Sequence, residues 1–188
     1  TSEAVGVLTH PDTDIESMVT HILDVENYPD NVRYVEAIDL IERRSDSDVT
    51  YVQHMNLPLI GRIQVQIHLS DFGERDGFRI VAWDQDDEAT AALDRKRGAR
   101  TDYNLGAWLL TADAVGYALS TAPRKSDVGT LKYLAMTKGA DVTATDPLDD
   151  LAQVLGRGAA ASADEAEAVL ARERVVRGGE LLGREGVP

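Results

Sequence analysis

The chain has 188 residues, 43% of them hydrophobic, with no cysteine and a formal charge of −14. That length suits one domain with a single sizeable core, and the missing thiols exclude disulfides, thiolate catalysis, iron–sulfur clusters and cysteine zinc sites. The acidity argues against nucleic acid and anionic membrane surfaces as partners, because both need a basic face that releases counterions.

The charge is unevenly spread: residues 1 to 90 carry 19 acidic against 6 basic residues, and the remainder is close to balanced. No apolar run approaches the ~18 residues of a membrane span. The opening Thr1-Ser2-Glu3 has neither a basic n-region nor an apolar h-region, so no stable membrane insertion and a cytoplasmic location are expected.

Ala4 to Thr9 is a short β-prone run, and His10-Pro11-Asp12-Thr13-Asp14 supplies turn and N-cap chemistry with acids suited to a helix start. Ile15, Met18, Val19, Ile22 and Leu23 then recur at the three-and-four spacing of one helical face, until Tyr28-Pro29-Asp30 breaks the pattern. Strands follow over Val32 to Arg43 and Val49 to Leu57, with Ser45-Asp46-Ser47-Asp48 as the hairpin turn.

After Pro58 and Gly61 comes the clearest period-two segment of the chain. Ile63, Val65, Ile67 and Leu69 alternate with Gln64, Gln66, His68 and Ser70, which predicts one buried and one wet face. If 49 to 57 and 63 to 70 pair as a hairpin, His54 falls beside Gln64 to Gln66 and away from His68. Glu74-Arg75-Asp76-Gly77 turns into a strand over Phe78 to Trp83, and Tyr103 to Thr111 turns through Ala112 to Gly116 into Tyr117 to Thr121. The economical topology is an antiparallel meander. Asp84 to Arg100, acidic at its front and basic at Arg95-Lys96-Arg97, fits a strand extension, a loop with a helical turn near Ala89 to Leu93, or a flap.

The last third is helical in pattern. Ser126 or Asp127 can cap a segment with Val128, Leu131, Leu134 and Ala135 on one face; Gly139 interrupts it, and Asp146-Pro147 opens another with Leu148, Leu151, Val154 and Leu155. Ala159 to Leu182 is an Ala/Glu/Arg-rich stretch read as an appended helix. The fold class is therefore α+β, an antiparallel sheet followed by a C-terminal helix, as one domain over 1–157 and a helical extension over 158–188.

The sequence offers little for catalysis. His10, His21, His54 and His68 are scattered without ligand spacing. Gly-x-Gly occurs only at Gly156-Arg157-Gly158, outside any strand-to-helix context, and no G-x-S-x-G elbow is present. No metal and no cofactor are expected. The positive signal is the apolar row Ile63, Val65, Ile67, Leu69 beside the amphipathic rings of Tyr51, Trp83, Tyr103, Trp108 and Tyr117. Such a face lines either a pocket or a filled core, and periodicity does not separate the two.

Asp24-Val25-Glu26-Asn27-Tyr28-Pro29, closing a helix that follows a first strand and precedes a meander, resembles the SRPBCC superfamily, which includes START lipid-transfer domains, Bet v 1-like proteins, polyketide cyclases and coenzyme Q-binding relatives. Gly106-Ala107-Trp108-Leu109-Leu110 and Tyr117-Ala118-Leu119 resemble the late strand pair of that group, and Leu131 onward takes the place of its long C-terminal helix. The resemblance implies a helix-grip fold with an apolar tunnel between sheet and helix for sterols, lipids, quinones or polyketides. Strand parity and the resemblance together select Tyr51, Met55, Ile63, Val65, Ile67, Leu69, Trp83, Tyr103, Trp108, Tyr117 and Leu131 as its lining. Binding or transfer of an apolar small molecule or lipid is the leading reading. A cyclase or aromatase using Tyr51, Tyr103, His54 or Glu36 as proton shuttle is the second, and a non-catalytic interaction domain with a filled core the third. Oligomeric state is left open by the sequence.

Overall fold

The structure is a computed structural model and describes residues 2–9, 14–58, 61–130 and 133. Leu131, the expected long C-terminal helix and the 157/158 boundary lie outside the described residues.

Strand β1 (Ser2–Thr9) is followed by helix α1 (Ile15–Leu23), a 3-10 turn (Val25–Asn27) and the short helix α2 (Tyr28–Asn31). Then come β2 (Val35–Ser45), β3 (Asp48–Leu57), β4 (Gly61–Arg75), β5 (Phe78–Gln85), helix α3 (Asp87–Ala92), β6 (Ala99–Leu110), β7 (Ala114–Pro123) and the short helix α4 (Lys125–Val128). The seven strands form one sheet in the order β1-β7-β6-β5-β4-β3-β2. Consecutive strands from β2 to β7 are antiparallel neighbours, and β1 closes the far edge against β7.

Local chemistry explains the corners. The β4–β5 hairpin turns on Asp76 and Gly77, both at positive φ, which is the two-residue geometry that matches the twist of paired strands. The β2–β3 hairpin closes Ser45 onto Asp48, so its turn is two residues long. Tyr28-Pro29-Asp30 does not simply end the first helix: α1 stops at Leu23, and Pro29 sits in the first turn of α2, where a missing N–H costs nothing.

Helix α1 buries Met18, Val19, Ile22 and Leu23, its predicted apolar face, against one face of the sheet. That inner face presents Leu8, Val49, Leu69, Val81, Leu110 and Val115, all nearly inaccessible, in one continuous cluster with α1. The other face of β4 departs from the expected wet row. Gln64 is 1% exposed, because the excursion between β5 and β6 folds over it. Its Nε2 donates to the carbonyls of Asp94 (2.7 Å) and Gly98 (2.8 Å), and the Gln66 N–H donates to Thr90 Oγ1 of α3 at 3.0 Å.

This answers what Asp84 to Arg100 does. Strand β5 ends at Gln85, and past its end the first residues of β6 pair directly with β4, Ile63 with Ala99 and Gln64 with Arg100. Helix α3, capped by the Asp86 carboxylate accepting from the Ala89 N–H at 2.9 Å, covers that junction from outside. Asp127 is also reassigned. Arg124, not Ser126 or Asp127, is the N-cap of α4, and the Asp127 carboxylate takes Arg100 Nε at 2.7 Å and Arg95 Nε at 3.2 Å.

Candidate functional site

The register decides which side chains share the inner face, since opposite residues in an antiparallel ladder point the same way. Ile67 pairs with Tyr51, and Leu69 with Val49 and Trp83. Val81 pairs with Trp108, and Trp108 with Tyr117. Ile63 and Met55 face each other further along, beside Val65 and Gln53. On this inner face the rings of Tyr51, Trp108 and Tyr117 share one buried cluster with the aliphatic side chains and α1, with Trp83 and Met55 packed against it.

At the centre Tyr117 lies between two indoles, its ring centroid 5.6 Å from Trp83 at an interplanar angle of 28° and 4.6 Å from Trp108 at 56°. Trp83 is held at both ends of its indole. Its Nε1 donates to Asn104 Oδ1 at 2.8 Å, and Asn104 Nδ2 donates in turn to Thr121 Oγ1 at 3.2 Å. Its six-membered ring lies over Gly106, where a Cβ would stand 2.3 Å from the ring. Tyr51 receives Tyr28 edge-on, with centroids 6.2 Å apart, and the Tyr28 hydroxyl donates to the Ile22 carbonyl.

Tyr51 and Tyr117 have no such partner among the described residues. Burial pushes the phenols of Tyr28, Tyr51 and Tyr117 above the ordinary tyrosine range; Tyr28 is raised further by Tyr117 and Asp24, and Tyr51 by Tyr28 and then Tyr117. These groups stay protonated through neutral pH. They can donate hydrogen bonds to an oxygen brought to the inner face, and they are poor proton shuttles there.

Tyr103 departs from the expected lining. It pairs with Ala122, and the ladder runs from there to Trp108–Tyr117 without a shift, so alternation along the strand puts Tyr103 on the face opposite to Trp108. Its buried hydroxyl has no hydrogen-bond partner among the described residues. The other polar candidates also fall elsewhere. His54, opposite Gln64 as the hairpin predicts, lies on the outer side with Nε2 at 2.9 Å from Asp39 Oδ2, and Arg97 Nη1 reaches the same carboxylate oxygen at 2.8 Å. The contacts of His54 and then Arg97 hold Asp39 below the usual carboxylate range. Glu36 accepts from Asn56 Nδ2 at 2.8 Å and Arg62 Nε at 3.0 Å. Of the four proposed shuttles, Tyr51 alone is on the inner face.

A second polar group, Asp48, His68 and Ser70, is also on the outer side. His68 Nε2 lies 3.1 Å from Asp48 Oδ2 and 3.2 Å from Ser70 Oγ. One nitrogen serves both neighbours, and Nδ1 stands 3.7 Å from Asp84 Oδ1, beyond hydrogen-bond reach, so no carboxylate holds the imidazole from its far side as serine activation requires. Among the described residues no three metal-ligating side chains converge.

Tyr28 and Gly106 entered from sequence only as parts of the helix break and the family-like motifs, and Asn104 not at all, so none of the three was expected at the site. Asn104 and Gly106 do carry a signal, since a polar amide and a glycine at alternate positions of a strand are unfavourable unless a side chain from the neighbouring strand needs them.

No family model matches the sequence, and no curated protein matches it. Solved structures do match in fold. A STAR-related lipid transfer protein from Xanthomonas axonopodis superposes with a TM-score of 0.67 at 16% identity, covering 81% of this chain and 84% of that one. Human STARD10 gives 0.64 at 12% identity over 80% of this chain and 62% of its own. The di-domain ARO/CYC StfQ of the steffimycin biosynthetic pathway gives 0.54 at 12% identity over 80% of this chain and 48% of its own. The fold is the START/Bet v 1-like helix-grip fold, as the resemblance around Asn27-Tyr28-Pro29 implied. Among the described residues no helix is long and apolar enough to cross a membrane.

Proposed function

We propose that this protein binds, and by binding carries, an apolar small molecule or lipid against the inner face of its sheet. The observation that carries the reading is the Trp83–Tyr117–Trp108 stack set beside Tyr51, Met55, Ile63, Val65 and Ile67 on the inner face of the sheet. Burial of apolar surface at roughly 25 cal/mol per Å² would supply most of the affinity, and the ring edges and flat faces favour a planar or polycyclic ligand over a flexible single chain. The hydroxyls of Tyr51 and Tyr117 add a preference for a ligand bearing a carbonyl or hydroxyl oxygen that can accept from them.

The lipid-transfer neighbour supports carriage, and the ARO/CYC neighbour supports a cyclase or aromatase reading in which the same face folds a reactive chain. The specific point in favour of the second is again the phenol pair: two neutral donors can hold and polarise a carbonyl without exchanging a proton. The experiment that tests the first reading compares native and denaturing mass spectra of the purified protein and extracts whatever is released on unfolding. A stoichiometric lipid, quinone or polyketide is expected. If the protein is ligand-free and takes up none of a panel of these compounds, while a crystal structure fills the inner face with side chains, the reading is overturned.

A further inference from the structure

The two edges of the sheet are built differently. Edge strand β2 is broken by three register shifts against β3, and Glu36, Asp39, Glu42, Arg43 and Arg44 crowd it with charge. Bulges and charge are what keep an open strand from pairing with another chain. The opposite edge, β1, has neither. Its eight residues pair with β7 in one unbroken register, and its sequence SEAVGVLT has no proline, no basic residue and Glu3 as its one charge. Among the described residues no strand lies on its other side. Val5, at the middle of this edge, is 55% exposed.

We propose that β1 pairs with β1 of a second copy, antiparallel and two-fold about Val5, joining two sheets into one continuous sheet. A second copy is the partner that this edge fits. An antiparallel edge is self-complementary under a two-fold axis, since each free N–H and C=O meets its own counterpart. With Val5 on the axis, Ala4 lies opposite Gly6 of the second copy and Glu3 opposite its Val7, so no charge meets a like charge. The surrounding surface agrees. Leu105, Ala107, Leu109 and Ala118, on the outer face of β6 and β7, the two strands next to β1, are uncharged, and two chains of net charge −14 approach with least repulsion there. One strand pair is small beside the roughly 1,200 Å² of a stable standard interface, so the association is reversible and depends on concentration. It also strengthens as salt screens the like charges.

Sedimentation velocity on the full chain over a wide concentration range tests this. The expected result is a monomer–dimer equilibrium that shifts toward dimer with added salt and whose Kd rises about tenfold or more in Val5→Lys, with thermal unfolding unchanged because the site is exposed. The chain has no cysteine, so Val5→Cys introduces a single thiol. That variant should cross-link to a covalent dimer under oxidation or with a short bismaleimide, whereas Leu105→Cys, similarly exposed but away from the axis, should not. A monomer at every concentration overturns the proposal, and protection of β1 amides from exchange in that monomer would assign the edge to another part of the same chain. A dimer that Val5→Lys leaves intact overturns it too.

Discussion

Gly106 shows how one missing side chain positions another. The Trp83 indole and the Ala118 carbonyl both stand 2.3 Å from where a Cβ would be, and the carbonyl is backbone that cannot swing aside. Gly106→Ala should therefore destabilise the protein by about 1–3 kcal/mol, read as a lowered urea midpoint, with tryptophan near-UV circular dichroism altered as Trp83 is displaced. Asp127 makes a different kind of contribution. Its side chain is almost inaccessible, and the Arg100 guanidinium holds its carboxyl down at about 2. A carboxyl depressed in the folded state stabilises above its unfolded value near 3.9 and loses that stabilisation as pH falls toward the folded value. Asp127→Asn should cost about 2 kcal/mol at neutral pH, an order of magnitude set by that shift. The deficit should shrink on acidification below about pH 4, as urea unfolding at a series of pH values would show.

At the scale of elements, α3 is the part whose role the sequence left open, and Thr90 is what ties it down. Thr90 is fully buried and its hydroxyl accepts the Gln66 N–H. Thr90→Val keeps the shape and strands that donor, so a loss of about 1–3 kcal/mol is expected, with faster amide exchange at Gln66 as the local signature. The strands were legible because period-two rows such as Ile63 to Leu69 and turn pairs such as Asp76-Gly77 are local signals. Helix α1 was legible from its 3.6-residue spacing. The burial of Gln64 was not, because a polar residue opposite an apolar row reads as solvent-facing, and what covers it arrives 26 or more residues later in sequence. Tyr103 was misplaced for a different reason: the ladder is regular from Tyr103 to Trp108, so strict alternation already sets the two rings on opposite faces, and their shared amphipathic character alone had grouped them.

For the molecule as a whole, the three buried phenols link the inner face to global stability. Tyr28, Tyr51 and Tyr117 are raised in the folded state, so folded and unfolded chains bind equal protons below about pH 10 and the unfolded chain releases more above it. Stability should be unaffected by these groups up to that pH and fall beyond it. A spectrophotometric titration should show the three ionising together with alkaline unfolding and not before it. A ligand that hydrogen-bonds Tyr51 or Tyr117 should move that transition to higher pH.

The stack around Tyr117 has one more consequence. Trp83 and Trp108 are the only tryptophans in the chain, and both pack on the same tyrosine. Every photon of indole emission therefore originates on the inner face and none on the exterior. The protein carries an intrinsic optical gauge of that compartment, in which the emission of unmodified protein would register occupancy without a label and would stay silent to events on the outer surface.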